Sequence, residues 1–167
     1  GDEAGRILKS CLLQPLVPER QASLAVIAKV SEDWLQTIPQ SQKFGWGSLP
    51  SSLWRFRIGD WEAALEVSAT GAMGATPSSA HFPSYHAIRA MAFERTGDSV
   101  AAHESFEKAR QALVAKWPSD WSEGTHAGYW YDWLFAAVLV QEAGEMLGTP
   151  LSLPVDDRAG WNSNHFR

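Results

Sequence analysis

The strongest constraint on the fold is a two-residue turn that occurs twice. Gly59-Asp60 and Gly97-Asp98 each follow an apolar, aromatic helical segment and each precede an alanine-rich one. Glycine permits the left-handed backbone that closes a helix, and aspartate is a good N-cap for the next helix. Because Ala64 and Ala102 each stand five residues after the glycine, the two stretches predict two copies of one helical hairpin.

The rest of the chain also follows the helical period of 3.6 residues, and no stretch alternates as a strand would. We predict six or seven helices, in the ranges 2–13, 18–34, 49–58, 61–70, 84–96, 99–116 and 126–147. Residues rich in Pro, Gly, Ser or Gln separate them, at Ile38–Gly47, Gly71–Pro83 and Trp117–Asp120. The chain after Gly148 carries Pro, Asp and Asn and is expected to be an irregular tail.

The second hairpin resembles the tetratricopeptide repeat, in which small residues sit where two helices approach closely and aromatic residues fill the flanks. The positions that match are Tyr85, Ala90, Phe93, Gly97, Ala102, Phe106 and Ala109. The first hairpin keeps Gly59 and Ala64, but Ser68 replaces a large aromatic residue and Gly71 the usual alanine. The resemblance implies an all-α, tetratricopeptide-like solenoid of about three antiparallel hairpins plus a C-terminal capping helix over residues 1–148, followed by the irregular tail 149–167.

Three further stretches appear in an order that resembles the C-terminal tetratricopeptide region of large multidomain bacterial serine/threonine protein kinases. They are Ile7–Pro15, Trp54–Ala64, and Trp130–Leu134 with Gln141–Leu147. Phe56 departs from the tyrosine usual in that family, and the Gly71–Pro83 loop is long. The resemblance implies a non-catalytic appendage of a signalling kinase, with a protein or peptide ligand that could be another domain of the same parent chain.

Charge and cysteine content exclude several classes of partner. The net charge is −5, from 14 basic and 19 acidic residues, so the chain lacks the basic face that nucleic acid or an anionic membrane surface requires. The single cysteine, Cys11, cannot form an internal disulfide and is expected to be a small buried hydrophobe. Together with the kinase resemblance, this cysteine usage predicts a cytoplasmic location.

The sequence contains no motif that carries known catalytic chemistry. A Walker loop, HExxH, GxSxG and the kinase signatures are missing, so we predict no enzyme activity, cofactor or metal for these residues. His103 and Glu107 lie four apart on one helix and are interpreted as a surface pair rather than metal ligands.

Repeat geometry predicts that the first helix of each hairpin lines a concave, peptide-binding face. The candidate contacts are arginine and aromatic residues, which are enriched in binding hot spots: Arg55, Arg57, Tyr85, Arg89 and Trp130. Two alternatives stay open. The nine tryptophans could form a surface for a helical enzyme or carbohydrate-binding domain, or the chain could be a structural spacer.

Overall fold

The computed structural model describes residues 2–39, 47–117 and 130–153, and within these ranges the chain forms helices and no strand. The seven helices are α1 (Asp2–Cys11), α2 (Pro18–Thr37), α3 (Leu49–Arg57), α4 (Trp61–Met73), α5 (His81–Thr96), α6 (Ser99–Lys116) and α7 (Trp130–Met146). The predicted all-α class is therefore confirmed. The expected helix start near His126 and the tail beyond residue 153 lie outside the described residues.

Three of the helices end in the same left-handed glycine turn. The glycines are Gly59, Gly97 and Gly148, with φ angles of +86°, +87° and +69°. The next residue donates its backbone N–H to a carbonyl five residues earlier: Asp60 to Arg55 (3.0 Å), Asp98 to Phe93 (2.9 Å) and Thr149 to Gly144 (2.8 Å). This hydrogen bond satisfies a carbonyl that the helix end would otherwise leave without a partner. The two Gly-Asp turns thus form as predicted, and a third closes α7.

The connection between α4 and α5 is shorter than the sequence predicts. We expected a loop over Gly71–Pro83, but α4 continues to Met73 and α5 begins at His81. Gly71 lies within α4, and the ring of Tyr85 occupies the space that a Cβ would need, with a ring atom 2.2 Å from that position. Pro83 lies in the first turn of α5, where no intrahelical hydrogen bond depends on its missing N–H.

The helices pack in a recurring order. α3 pairs with α4 and α5 with α6 through the glycine turns, and α1 pairs with α2. In addition, α1 and α2 both pack on α3, α3 and α4 both pack on α5, and α5 and α6 both pack on α7. Buried residues from all seven helices form one apolar cluster, among them Leu8, Leu24, Leu53, Ala64, Ile88, Phe106 and Leu139.

The expected burial of Cys11 in the N-terminal helix is wrong. Cys11 is exposed at the end of α1, although its apolar surroundings suggested a buried position. Leu8 and Leu12 are both completely buried, and Ile7 is 52% exposed. Residues four apart lie on the same face of a helix. Leu8 and Leu12 therefore share the buried face of α1, and Ile7 and Cys11 share the exposed face.

No helix within the described ranges has both the length and the apolar composition needed to cross a lipid bilayer.

Candidate binding surface

Arg55, the first predicted binding residue, fastens α2 to α3. Its Nε and Nη2 atoms donate to the two carboxylate oxygens of Glu32, each at 2.9 Å. Its Nη1 atom donates to Asp60 at 3.1 Å, and the Ser51 hydroxyl donates to Glu32 at 3.0 Å. The Arg55 guanidinium therefore forms ion pairs with two acidic residues of the same chain, Glu32 and Asp60.

Arg57 lies where α1, α3 and α7 meet, and its side chain is only 4% exposed. Both terminal nitrogens pair with the Glu142 carboxylate of α7, with Nη2 2.6 Å from Oε2. Its Nε atom donates to the carbonyl of Leu12, at 3.0 Å, just after α1. The residue therefore joins three helices, and its guanidinium is directed into the protein.

Tyr85 is completely buried on α5, where its ring packs against Gly71 of α4. Burial raises the pKa of its phenol, and hydrogen bonding with Ser48 acts in the opposite direction. A buried phenol with an internal hydrogen-bond partner is a core residue of the kind expected for tyrosine. It contributes to the packing of α4 on α5.

Arg89 is half-buried between α4 and α5, and no described carboxylate forms an ion pair with it. Its Nη1 atom lies 3.4 Å from the carbonyl of Leu65, and its guanidinium carbon lies 5.2 Å from the centre of the Phe93 ring. Burial lowers the pKa of Arg89.

Trp130 is the first residue of α7, and its side chain lies outside the described residues. The predicted residues thus occupy several junctions rather than one common face.

An apolar groove lies between α1 and α7, with a volume of about 220 Å³. Its lining residues come from both helices: Lys9, Ser10, Leu13, Tyr131, Leu134, Phe135 and Val138. Tyr131, Leu134 and Val138 are 50%, 39% and 44% exposed, and their i, i+3, i+7 spacing places them on one face of α7. A continuous exposed apolar stripe of this spacing is typical of a surface that receives another helix or peptide.

One end of this groove is held by an ion pair that is largely withdrawn from solvent. The Nζ atom of Lys9 lies 2.9 Å from Oδ1 of Asp132, and the two side chains are 15% and 3% exposed. The same ammonium lies 5.0 Å from the centre of the Phe135 ring and 5.8 Å from that of Tyr131. Burial raises the pKa of Asp132, and the interaction with Lys9 acts against that shift.

The described residues do not assemble a metal-binding group. Within 2–39, 47–117 and 130–153, no three His, Cys, Asp or Glu side chains are placed to hold a metal ion. His103 Nδ1 lies 2.8 Å from the carbonyl of Ser99, and Glu107 forms an ion pair with Arg110. The Glu142 carboxylate accepts hydrogen bonds from Arg57.

The tryptophans whose side chains are described mostly contribute to packing. Trp54 is 5% exposed, and Trp61, Trp117 and Trp133 are partly buried against the core. Trp117 and Trp121 were expected to be exposed, because they lie in a segment that breaks the helical pattern. Trp121 lies outside the described residues, and Trp117 is partly buried. Its contact with the core places an aromatic ring at the end of α6 rather than on an open stacking surface.

Sequence reasoning missed the stripe on α7. Trp130–Leu134 was interpreted only as part of a family-like motif, and Tyr131, Leu134 and Val138 were not separated from the buried face. The sequence nevertheless contains a signal, because Trp130–Val140 carries apolar residues on nearly every face of the helix. A helix that packs on one side needs only one apolar face. The second apolar face of α7 is the exposed stripe beside α1.

Comparisons of the chain with known protein families, with curated proteins and with solved structures give no match.

Proposed function

We propose that this chain is a non-catalytic, tetratricopeptide-like module that binds another polypeptide. The packing order supports the repeat. In this interpretation α1, α3, α5 and α7 are the first helices of successive units. α1, α3 and α5 each pack on the second helix of their own unit and on the first helix of the next unit. Each second helix packs on the next first helix too. The recurrence of one glycine turn after α3, α5 and α7 supports the same repeat.

The observation that carries the binding proposal is the apolar stripe on α7. Tyr131, Leu134 and Val138 are each more than a third exposed although they lie beside the buried Phe135 and Leu139. Covering these side chains would remove apolar surface from water, which favours association by roughly 25 cal/mol per Å² before the costs of binding. A helix with an apolar ridge fits a groove between two roughly aligned helices, so we propose an amphipathic helical segment as the ligand.

We further propose that the module is an appendage of a bacterial serine/threonine kinase or of a similar signalling protein in the cytoplasm. The support for this step is the order of the three sequence stretches described above, and the ligand would then be a partner protein or another domain of the parent. The observations on α7 stand independently of that parentage, because they depend only on exposed residues of this chain.

A capture experiment with matched variants tests the proposed function. Immobilised wild-type chain, Leu134→Asp and Val100→Asp are each exposed to a bacterial lysate, after circular dichroism has shown that all three are equally helical. Val100 is 73% exposed on α6, so Val100→Asp adds the same charge away from the groove. We expect wild type and Val100→Asp to retain the same polypeptide, and Leu134→Asp to lose at least about 90% of it, since a buried charge in the interface costs more than about 1.4 kcal/mol. Equal retention by all three chains would contradict the proposal.

A further inference from the structure

The α1–α2 hairpin is the most lightly packed unit of the described structure. α2 has twenty residues, and only four of them are buried: Leu24, Ala28, Ser31 and Leu35. By comparison, α5 has sixteen residues and buries eight. Four residues at intervals of three or four form a single narrow stripe, so most of the surface of α2 faces water and little apolar area resists its displacement.

Polar contacts carry much of the attachment of this hairpin to the other helices. Glu32 of α2 binds Arg55 and Ser51 of α3, and the Leu12 carbonyl after α1 accepts from Arg57. A further polar link is the ion pair from Lys9 of α1 to Asp132 of α7. α7 does not approach α1 as it approaches α5 and α6, so this link is made by side chains rather than by close backbone packing.

The other helices are joined by apolar contacts with full burial. Ala102 and Leu113 of α6, and Leu139, Val140 and Ala143 of α7, are all completely buried. α7 packs on both α5 and α6 through this face. Displacing α7 would therefore expose several apolar side chains at once. Displacing the α1–α2 hairpin would expose the buried Leu8, Leu12 and Leu24 and would also break two ion pairs, Lys9–Asp132 and Arg55–Glu32.

We propose that the α1–α2 hairpin opens away from α3 and α7 as one unit, and that the Lys9–Asp132 ion pair is the clasp that keeps it closed. The clasp is sensitive because Asp132 is 3% exposed: without Lys9 its carboxylate is buried and unpaired, and opening to water relieves that penalty. Opening also widens the groove, since Lys9 lines one side of it and Phe135 the other. This last consequence rests on the proposed function, whereas the opening itself does not.

Amide hydrogen exchange of the isolated full chain tests the clasp without any partner. The variants are Lys9→Met and Asp132→Asn, which each remove one charge of the pair. The matched control is Asp33→Asn, which removes the exposed pair between Lys29 and Asp33 on α2, where the side chains are 74% and 65% exposed. In wild type we expect protected amides of α1 and α2 to exchange at least about tenfold faster than those of α5.

Lys9→Met leaves the Asp132 carboxylate buried and unpaired, so it should accelerate exchange in α1 and α2 on the order of a hundredfold. Asp132→Asn leaves no buried carboxylate and should accelerate exchange in α1 and α2 less, and both variants should leave α5 and α6 within about twofold of wild type. Asp33→Asn should change exchange by no more than about twofold, because an exposed pair contributes little. Acceleration of all helices together, or no acceleration in α1 and α2, would overturn the proposal. Loss of captured polypeptide in the Leu134→Asp experiment does not bear on these exchange rates, so the two proposals fail separately.

Discussion

The contact between Gly71 and Tyr85 explains why glycine is needed at this position of α4. A Cβ at position 71 would lie 2.2 Å from Cζ and 2.5 Å from the hydroxyl oxygen of Tyr85, a ring that is completely buried. An alanine at that position would collide with the ring, so glycine and tyrosine at these two positions depend on each other.

We predict that Gly71→Ala lowers the free energy of unfolding by about 2 kcal/mol, because relieving the overlap forces Tyr85 or the α4 backbone to shift. The gain in helix propensity, about 1 kcal/mol, is too small to offset this cost. Urea denaturation followed by circular dichroism measures the change. Gly5→Ala is the control: its Cβ would meet the nearest atoms, of Ser31 and Pro50, at 3.4 Å, so we expect no loss beyond about 0.5 kcal/mol. Equal losses in both variants would contradict the explanation.

His86 makes stability depend on pH. Burial, followed by the positive charges of Arg89 and Lys108, lowers the pKa of His86 to about 4 from an ordinary value near 6.5. The unfolded chain therefore binds a proton at higher pH than the folded chain does. The resulting stability is fully present above pH 6.5 and is lost as the pH falls from 6.5 towards 4.

We predict that His86→Gln removes part of this acid sensitivity, by roughly 1 kcal/mol after allowance for partial solvent exposure. The measurement is the difference in unfolding free energy between variant and wild type at pH 7 and at pH 4.5. His103→Gln, at an exposed position on α6, serves as the comparison. A difference for His86→Gln that does not vary between the two pH values would contradict the assignment.

The arginines show what a sequence can predict at this scale. Arg55, Arg57 and Arg89 were predicted correctly to lie on first helices of hairpins, but their surroundings depend on residues far along the chain. Glu142, the partner of Arg57, is 85 residues away, and no local pattern links the two positions. Whether a charged side chain faces solvent or a buried partner is decided by tertiary packing, which periodicity does not encode.

At the scale of elements, the two Gly-Asp turns share a backbone but differ in their caps. The Asp98 carboxylate accepts a hydrogen bond from the backbone N–H of Ala101, at 3.0 Å, and so caps α6. Asp60 stands at the equivalent place before α4, but its side chain makes no capping hydrogen bond and pairs with Arg55 instead. One turn is therefore stabilised by a cap, and the other by an ion pair.

We predict that Asp98→Ala costs about 1 kcal/mol of stability at any salt concentration, because the N-cap hydrogen bond is short-ranged. Asp98→Asn should cost little, since asparagine caps equally well. Asp60→Ala should cost at most about 1 kcal/mol, and this loss should shrink in 1 M NaCl, which screens the half-exposed pair with Arg55. Thermal unfolding at low and high salt separates the two cases. The same salt dependence for both alanine variants would contradict the distinction.

The ends of helices were predicted correctly where local backbone chemistry decides them. The predictions were wrong where tertiary packing decides the end of a helix or the burial of a side chain. The glycine turns at residues 59 and 97 were predicted from backbone preference and capping alone. The end of α4 was not, because glycine was interpreted as the start of a loop, whereas Gly71 lies within the helix and its missing Cβ leaves room for the ring of Tyr85. Cys11 was placed in the core because its neighbours are apolar, whereas the phase of α1 relative to Leu8 and Leu12 turns it outward.

At the scale of the whole molecule, α1, α3, α5 and α7 contribute side chains to one buried apolar cluster. Leu8, Leu53, Met91 and Phe135, one from each of these helices, belong to the same buried cluster. Arg57 bridges the remaining distance between α3 and α7. An exposed apolar surface lies in the groove between α1 and the stripe on α7, and this is why the proposed ligand site differs from the face first expected.

The most direct test of polypeptide binding at this edge is site-specific photo-crosslinking in a bacterial lysate. A benzophenone amino acid replaces Leu134 in one chain and Val100, an exposed residue of α6, in the other. A bound helix in the groove would lie within van der Waals contact of position 134, so we predict a discrete crosslinked polypeptide from that position and none from position 100. Crosslinks of equal yield and pattern from both positions, or from neither, would contradict binding in the α1–α7 groove.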